Sequence, residues 1–99
     1  MNAEQFKVLF PLEGQVTQDI LSNARLLNPW ECIGALTLKA ALGEEVVSKI
    51  QDISWRNWDG CVRLGNDYIN IGTQENIPVI DIKQPQELTF IISPQNNLP

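Results

Sequence analysis

The longest apolar stretch of the chain runs from Asn28 to Gly43. Cys32, Ile33, Ala35, Leu36, Leu38, Ala40, Ala41 and Leu42 are apolar or small, and Glu31, Gly34 and Thr37 interrupt them at three-residue spacing, with Lys39 standing apart. An apolar surface this wide exceeds the one-sided stripe of a surface helix, so the pattern predicts a helix packed on more than one side. Its start reads as Asn28 at the N-cap, Pro29 at the first helical position and Glu31 at capping-box spacing. Gly43 reads as the residue that closes it. The run is far short of the ~20 apolar residues that a bilayer span requires.

Before this helix, Phe6, Val8 and Phe10 alternate with polar or outward positions, which predicts a strand over Phe6–Phe10, ended by Pro11. Glu13-Gly14 reads as a turn. Thr17 is placed to cap a helix over Gln18–Leu27, whose Ile20, Leu21, Ala24 and Leu27 share a face. After Gly43, Val46, Val47, Ile50 and Ile53 fit a helical stripe, although their β-branching also suits a strand. The expectation is a short helix that gives way to strand near Asp52.

The second half alternates with a period of two. Ile53–Arg56 and Cys61–Leu64 read as a hairpin around Asn57-Trp58-Asp59-Gly60. A four-residue loop sets Arg56 opposite Cys61, Trp55 opposite Val62 and Ile53 opposite Leu64. Ile53, Trp55, Val62 and Leu64 then face inward, while Ser54, Arg56, Cys61 and Arg63 face outward. Gly65-Asn66 turns into a strand over Asp67–Ile71, with Val62 facing Ile69 and Arg63 facing Tyr68. Gly72 to Asn76 reads as a loop, Ile77–Ile82 as a short strand weakened by Pro78, and Leu88–Ile92 as a strong strand. Pro94 ends it, and 94–99 reads as a loose C-terminal tail. The predicted class is α+β: one domain over 1–99, with two or three helices on one face of a small, mainly antiparallel sheet in a β-α-α-β meander. The first strand is expected to lie beside the last.

Charge then narrows the function classes. The 99 residues hold 12 acidic against 7 basic side chains, a net charge of −5. Direct nucleic-acid binding is not expected, because phosphate affinity comes from clustered Lys and Arg. Hydrophobic content of 43% and charged content of 19% are those of a folded globular chain. The start, Met1-Asn2-Ala3-Glu4, lacks the basic and apolar regions of a secretory signal, and two cysteines in that setting read as reduced thiols of a cytoplasmic protein without a membrane partner.

The sequence contains no histidine. That removes the commonest general base and the commonest zinc ligand. Cys32 near a helix start is a nucleophile candidate, but its apolar setting favours a packed thiol. Asp52, Asp59, Asp67 and Asp81 lack the spacing of a calcium loop, and Asp59 and Asp67 fall at turns, where Asp is favoured locally. Glu44 and Glu45 are the only adjacent acids, and consecutive helical residues do not face each other. No catalytic residue, cofactor or metal site is therefore assigned.

The tryptophans carry the remaining signal. Trp30 reads as core or as a staple at the helix start, and Trp55 as core. Trp58 sits at the hairpin tip, where an indole has little local use, with Arg56, Asp59, Arg63 and Tyr68 on the nearby outer face. Trp, Tyr and Arg dominate interface hot spots. The sequence thus points to a non-enzymatic protein-interaction module, an inhibitor, immunity or regulatory protein of prokaryotic or viral origin, with a protein partner bound through Trp58, Asp59, Arg56, Arg63 and Tyr68. The alternative is an assembly subunit that forms a homo-oligomer through an exposed strand or helix. A small enzyme or metal-binding protein is the third reading.

Overall fold

The computed structural model describes residues 1–93. The fold is α+β. Among the described residues the elements run α1 (Ala3–Lys7), β1 (Leu12–Val16), α2 (Gln18–Asn23), α3 (Ile33–Leu42), α4 (Glu44–Val47), β2 (Asp52–Arg56), β3 (Asp59–Leu64), β4 (Asp67–Thr73), a 3₁₀ turn (Val79–Asp81) and β5 (Gln86–Ile92). The five strands form one antiparallel sheet in the order β1-β5-β4-β3-β2. The first strand does lie beside the last, and the consecutive strands β2, β3, β4 and β5 form the meander. The expected tail over 94–99 lies outside the described residues.

The start of the chain is helical rather than extended. Asn2 Oδ1 accepts from the Gln5 N–H at 2.8 Å and Gln5 Oε1 accepts from the Asn2 N–H at 2.9 Å, a complete capping box. Helix α1 ends at Lys7, and Phe10, three residues past that end, brings its ring to 5.2 Å from that of Phe6. Phe6 is buried, while Val8, expected on the same face, is 78% exposed. The first strand forms instead at Leu12–Val16, through the residues read as a turn. Gly14 is required there because a β-carbon would sit 2.7 Å from Phe90 Cε2.

The central helix begins later than its sequence signals suggest. Asn28 Oδ1 accepts from the N–H of Trp30, two residues on, at 2.9 Å, which closes a local turn instead of capping a helix. Glu31 pairs with Arg25 at 3.1 Å rather than reaching back to Asn28. Helix α3 therefore starts at Ile33, with Cys32 at its N-cap, and ends at Gly43, whose φ of +86° suits glycine. The Gly34–Thr37 stripe faces inward, and both residues are buried, while Leu36 is half-buried and Ala40 exposed. Close approach explains this inversion: a β-carbon at Gly34 would sit 2.5 Å from Trp55 Cδ1 and Cγ. Glycine lets the helix rest on the indole.

Helix α2 is capped by Thr17 as expected, with Oγ1 accepting from the Ile20 N–H at 3.1 Å. It ends at Asn23 rather than Leu27, where Asn23 Nδ2 donates to the Asp19 carbonyl and Ala24 turns extended. Leu27 is left 92% exposed. The short helix after Gly43 and the strand from Asp52 form as expected. The segment Ile77–Ile82 is a 3₁₀ turn rather than a strand.

Trp55 anchors the core. Its ring meets Phe90 edge-on, with centroids 5.5 Å apart and planes at 81°. Phe6, Val16, Leu38, Val62, Ile71 and Leu88 are fully buried around this centre. The Trp55 indole N–H and the Thr37 hydroxyl oxygen are buried without hydrogen-bond partners among the described residues. Both concede polar satisfaction to close packing.

Candidate functional site

The hairpin β2–β3 builds the candidate site. Its connection has two residues, Asn57 and Trp58, rather than four, so Arg56 pairs with Asp59, Trp55 with Gly60, Ser54 with Cys61 and Ile53 with Val62. This register differs from the expected one by two residues. An even shift leaves every side chain on its predicted face. Ile53, Trp55, Val62 and Leu64 are buried, and Arg56, Asp59 and Arg63 are exposed. The short register has a cause: Gly60, lacking a side chain, lies directly beneath the Trp55 six-membered ring, which would occupy the space of any β-carbon. The next turn forms as expected, with Gly65 at φ +61°, Val62 opposite Ile69 and Arg63 opposite Tyr68.

Trp58 is 52% exposed at the tip. The tip itself is held in place. The Asn57 carbonyl accepts from the Val79 N–H at 2.7 Å, and Asn57 Oδ1 accepts from the Ile80 N–H at 3.1 Å. The indole thus projects from a hairpin pinned to the 3₁₀ turn.

The five residues singled out from the sequence share the outer face of the sheet or its tip, but they do not form one cluster. Arg63 stacks over Tyr68, with its guanidinium 5.9 Å from the ring centre, and its Nε donates to the Gly65 carbonyl at 3.1 Å. Tyr68 is 68% exposed. Trp58, Arg56 and Asp59 stand at the other end of the hairpin. Four residues along β3 separate Asp59 from Arg63, roughly 13 Å at strand spacing. Between the two groups runs a row of small or short side chains, Ser54, Cys61 and Asn70, on three adjacent strands. That row floors an open depression of about 410 Å³ lined by Ser54, Arg56, Asp59, Gly60, Cys61 and Asn70. A second depression of about 320 Å³ begins at Trp58 and Asp59 and reaches Gly72 and Ile91. The outer face is a shallow trough with an aromatic and an arginine at each end.

Burial pushes the Cys61 thiol up from its ordinary pKa, and the charges of Asp52 and Asp59 push it the same way, against a smaller opposing hydrogen bond from the Ile69 backbone. The thiol stays protonated at neutral pH and is a poor nucleophile. Cys32 is 2% exposed, and its Sγ lies 3.7 Å from the Trp55 carbonyl, as a donor.

Trp30 is neither core nor staple. It is 51% exposed, and its Nε1 donates to Asp52 Oδ1 at 2.9 Å. A further surface was not legible from sequence spacing. Leu26, Leu27, Pro29 and Ile80 line an apolar cleft of about 270 Å³ over Cys32 and Trp55. It arises because α2 stops early and leaves Leu26 and Leu27 in a loop. The doublet of leucines immediately before Asn28-Pro29 was the available signal. Among the described residues no group of three or more acidic or thiol side chains could hold a metal, and no helix is long and apolar enough to cross a membrane.

Comparison with protein-family models, with curated proteins and with solved structures finds no match for this chain.

Proposed function

We propose that the protein is a small acidic, non-enzymatic interaction module that acts by covering a partner's surface, as an inhibitor, immunity or regulatory protein does, in the cytoplasm of a prokaryote or in a viral setting. The observation that carries the reading is Trp58: a half-exposed indole on a tip fixed by two hydrogen bonds from the 3₁₀ turn. A large aromatic held in place before binding loses little freedom on docking, which is the property of an anchor. Arg56 forms no ion pair with Asp59 across the hairpin, and the described residues contain a single ion pair, Arg25–Glu31. Its guanidinium is available to a partner carboxylate at the edge of the trough. The lack of histidine and the upward shift of the Cys61 thiol support a binding role over a catalytic one.

The test is affinity capture from the native host with wild-type protein and Trp58→Ala side by side, followed by titration of the partner recovered. The reading expects a partner whose affinity falls by about 30-fold, the equivalent of roughly 2 kcal/mol. A partner that binds both proteins equally would remove Trp58 from the interface.

A further inference from the structure

The two edges of the sheet are treated differently. At β2 the outward edge is covered: the Trp55 N–H donates to the Pro29 carbonyl at 2.8 Å, the Trp55 carbonyl accepts from Cys32 Sγ, and Trp30 clasps Asp52. At β1 nothing comparable occurs among the described residues. The bonds from Gln74 N–H to the Thr89 carbonyl and from Ser93 N–H to the Asn70 carbonyl, each 2.8 Å, show that odd-numbered residues of β5 face β4. By alternation Gln86, Leu88 and Phe90 face β1, where they pair with Val16, Gly14 and Leu12. Glu13 and Gln15 therefore point their N–H and C=O groups away from the sheet, and no described group bonds them there. Pro11 bounds the strand and Glu13 is its one charge, but Leu12–Val16 contains no lysine and no proline, and its pairing with β5 runs without a bulge.

We propose that β1 pairs with β1 of a second copy of this chain, antiparallel about a two-fold axis at Gly14. The sequence Leu12-Glu13-Gly14-Gln15-Val16 is complementary to itself in that register. Glu13 meets Gln15 of the other copy twice, giving four backbone hydrogen bonds with no carboxylate opposite another. Leu12 meets Val16 on the core face, and Gly14 meets Gly14 at the axis, where two backbones approach most closely. Neighbouring registers are worse. An axis at Glu13 opposes two carboxylates and sets Gln15 against Pro11, which has no N–H. An axis at Gln15 calls on Thr17, whose carbonyl already accepts from the Leu21 N–H at 3.0 Å. The two five-stranded sheets join into one sheet of ten strands. The contact is a short one, of the size class that associates weakly and reversibly. With −5 on each copy, added salt tightens it by screening the mutual repulsion.

Sedimentation equilibrium of the full chain from about 10 µM to about 1 mM tests this. The expected result is a monomer–dimer equilibrium that strengthens with salt. Gln15→Lys sets a lysine opposite Glu13 of the other copy twice and should tighten the dimer by about fivefold. Gln15→Pro removes two of the four bonds at an N–H that has no partner within its own chain, and should weaken the dimer at least tenfold. Gln15→Lys decides the question if the proline variant fails to fold. A wild-type chain that stays monomeric throughout, or a dimer that Gln15→Lys does not tighten, overturns the proposal. Trp58→Ala should leave the dimer constant unchanged. A dimer lost in that variant belongs to the outer face instead, and also contradicts the edge pairing, while leaving the anchor role of Trp58 intact.

Discussion

Trp55 and Trp58 stand three residues apart on one hairpin and have opposite surroundings. Trp55 is 2% exposed, wedged between Gly34 on α3 and Gly60 on β3, with Phe90 against its edge. Trp58 is 52% exposed and makes no ring contact among the described residues. Nothing in an indole distinguishes the two. The difference lies in what the neighbouring positions give up. Gly34 and Gly60 both forgo a side chain to make room for Trp55, and its own N–H goes without a hydrogen bond. At Trp58 no such concession is made, and the bonds are spent on holding Asn57. One tryptophan organises the fold, and the other is presented by it.

The sharpest way to break this contrast is truncation. Trp55→Ala empties the centre of the core and should cost roughly 3–5 kcal/mol in denaturant melts. Trp58→Ala should change stability by no more than about 0.5 kcal/mol, as expected for a surface site. A loss at Trp58 as large as that at Trp55 would make both core residues.

Filling the concessions is the next test. Gly34→Ala and Gly60→Ala each drive a β-carbon into the Trp55 ring and should cost at least about 1–3 kcal/mol by overpacking. Gly72, on the outer face with open space around it, is the control: Gly72→Ala should be nearly neutral. Equal costs at all three glycines, read from unfolding midpoints, would show that packing against Trp55 is not what selects glycine.

The central helix sharpens the same point at smaller scale. Leu38→Ala, at a fully buried position, should cost roughly 2–5 kcal/mol, and Leu36→Ala clearly less, because Leu36 is only half-buried. The reverse order would place the other face of α3 against the sheet.

The smallest effect is that of pH on the outer face. The folded-state pKa of Cys61 is raised, so the protonated thiol is favoured by folding. Its contribution to stability is fully present below the ordinary thiol range and is lost as pH rises through the folded value. Melts should weaken slightly above about pH 9, and Cys61→Ser should remove that part of the slope. At neutral pH, iodoacetamide should label Cys61 and Cys32 slowly in the folded protein, Cys61 because the thiol is protonated and Cys32 because it is buried. Rapid labelling of either would reopen a catalytic reading.

What the sequence revealed follows from period. The alternation from Ile53 to Ile71 carries its faces through a hairpin register error of two residues, since parity survives an even shift. The strand Leu88–Ile92 and the caps Thr17 and Gly43 rest on equally local signals. The errors arise where two local signals compete. Phe6, Val8 and Phe10 satisfy a period of two, yet Asn2 and Gln5 close a capping box that winds Ala3–Lys7 into a helix, with Phe6 as its buried residue. Asn28-Pro29-Trp30-Glu31 has every mark of a helix start, but Arg25 takes the Glu31 carboxylate, and the Asn28 oxygen serves a tighter turn. Gly34 and Thr37 look polar in sequence and are buried because the helix must approach an indole that lies some twenty residues further along the chain. The candidate site was legible by face and not by distance. Spacing shows that Arg56, Arg63 and Tyr68 point outward, but it does not show that four residues of β3 separate Trp58 from the Arg63–Tyr68 stack.

The most direct test of the central claim is the dissociation constant of the recovered partner for wild type and for Trp58→Ala, with the unfolding midpoint of each protein measured alongside Trp55→Ala. The account predicts that Trp58→Ala melts with the wild type and binds about 30-fold more weakly. An unchanged dissociation constant, or a midpoint that falls as far as that of Trp55→Ala, would contradict it.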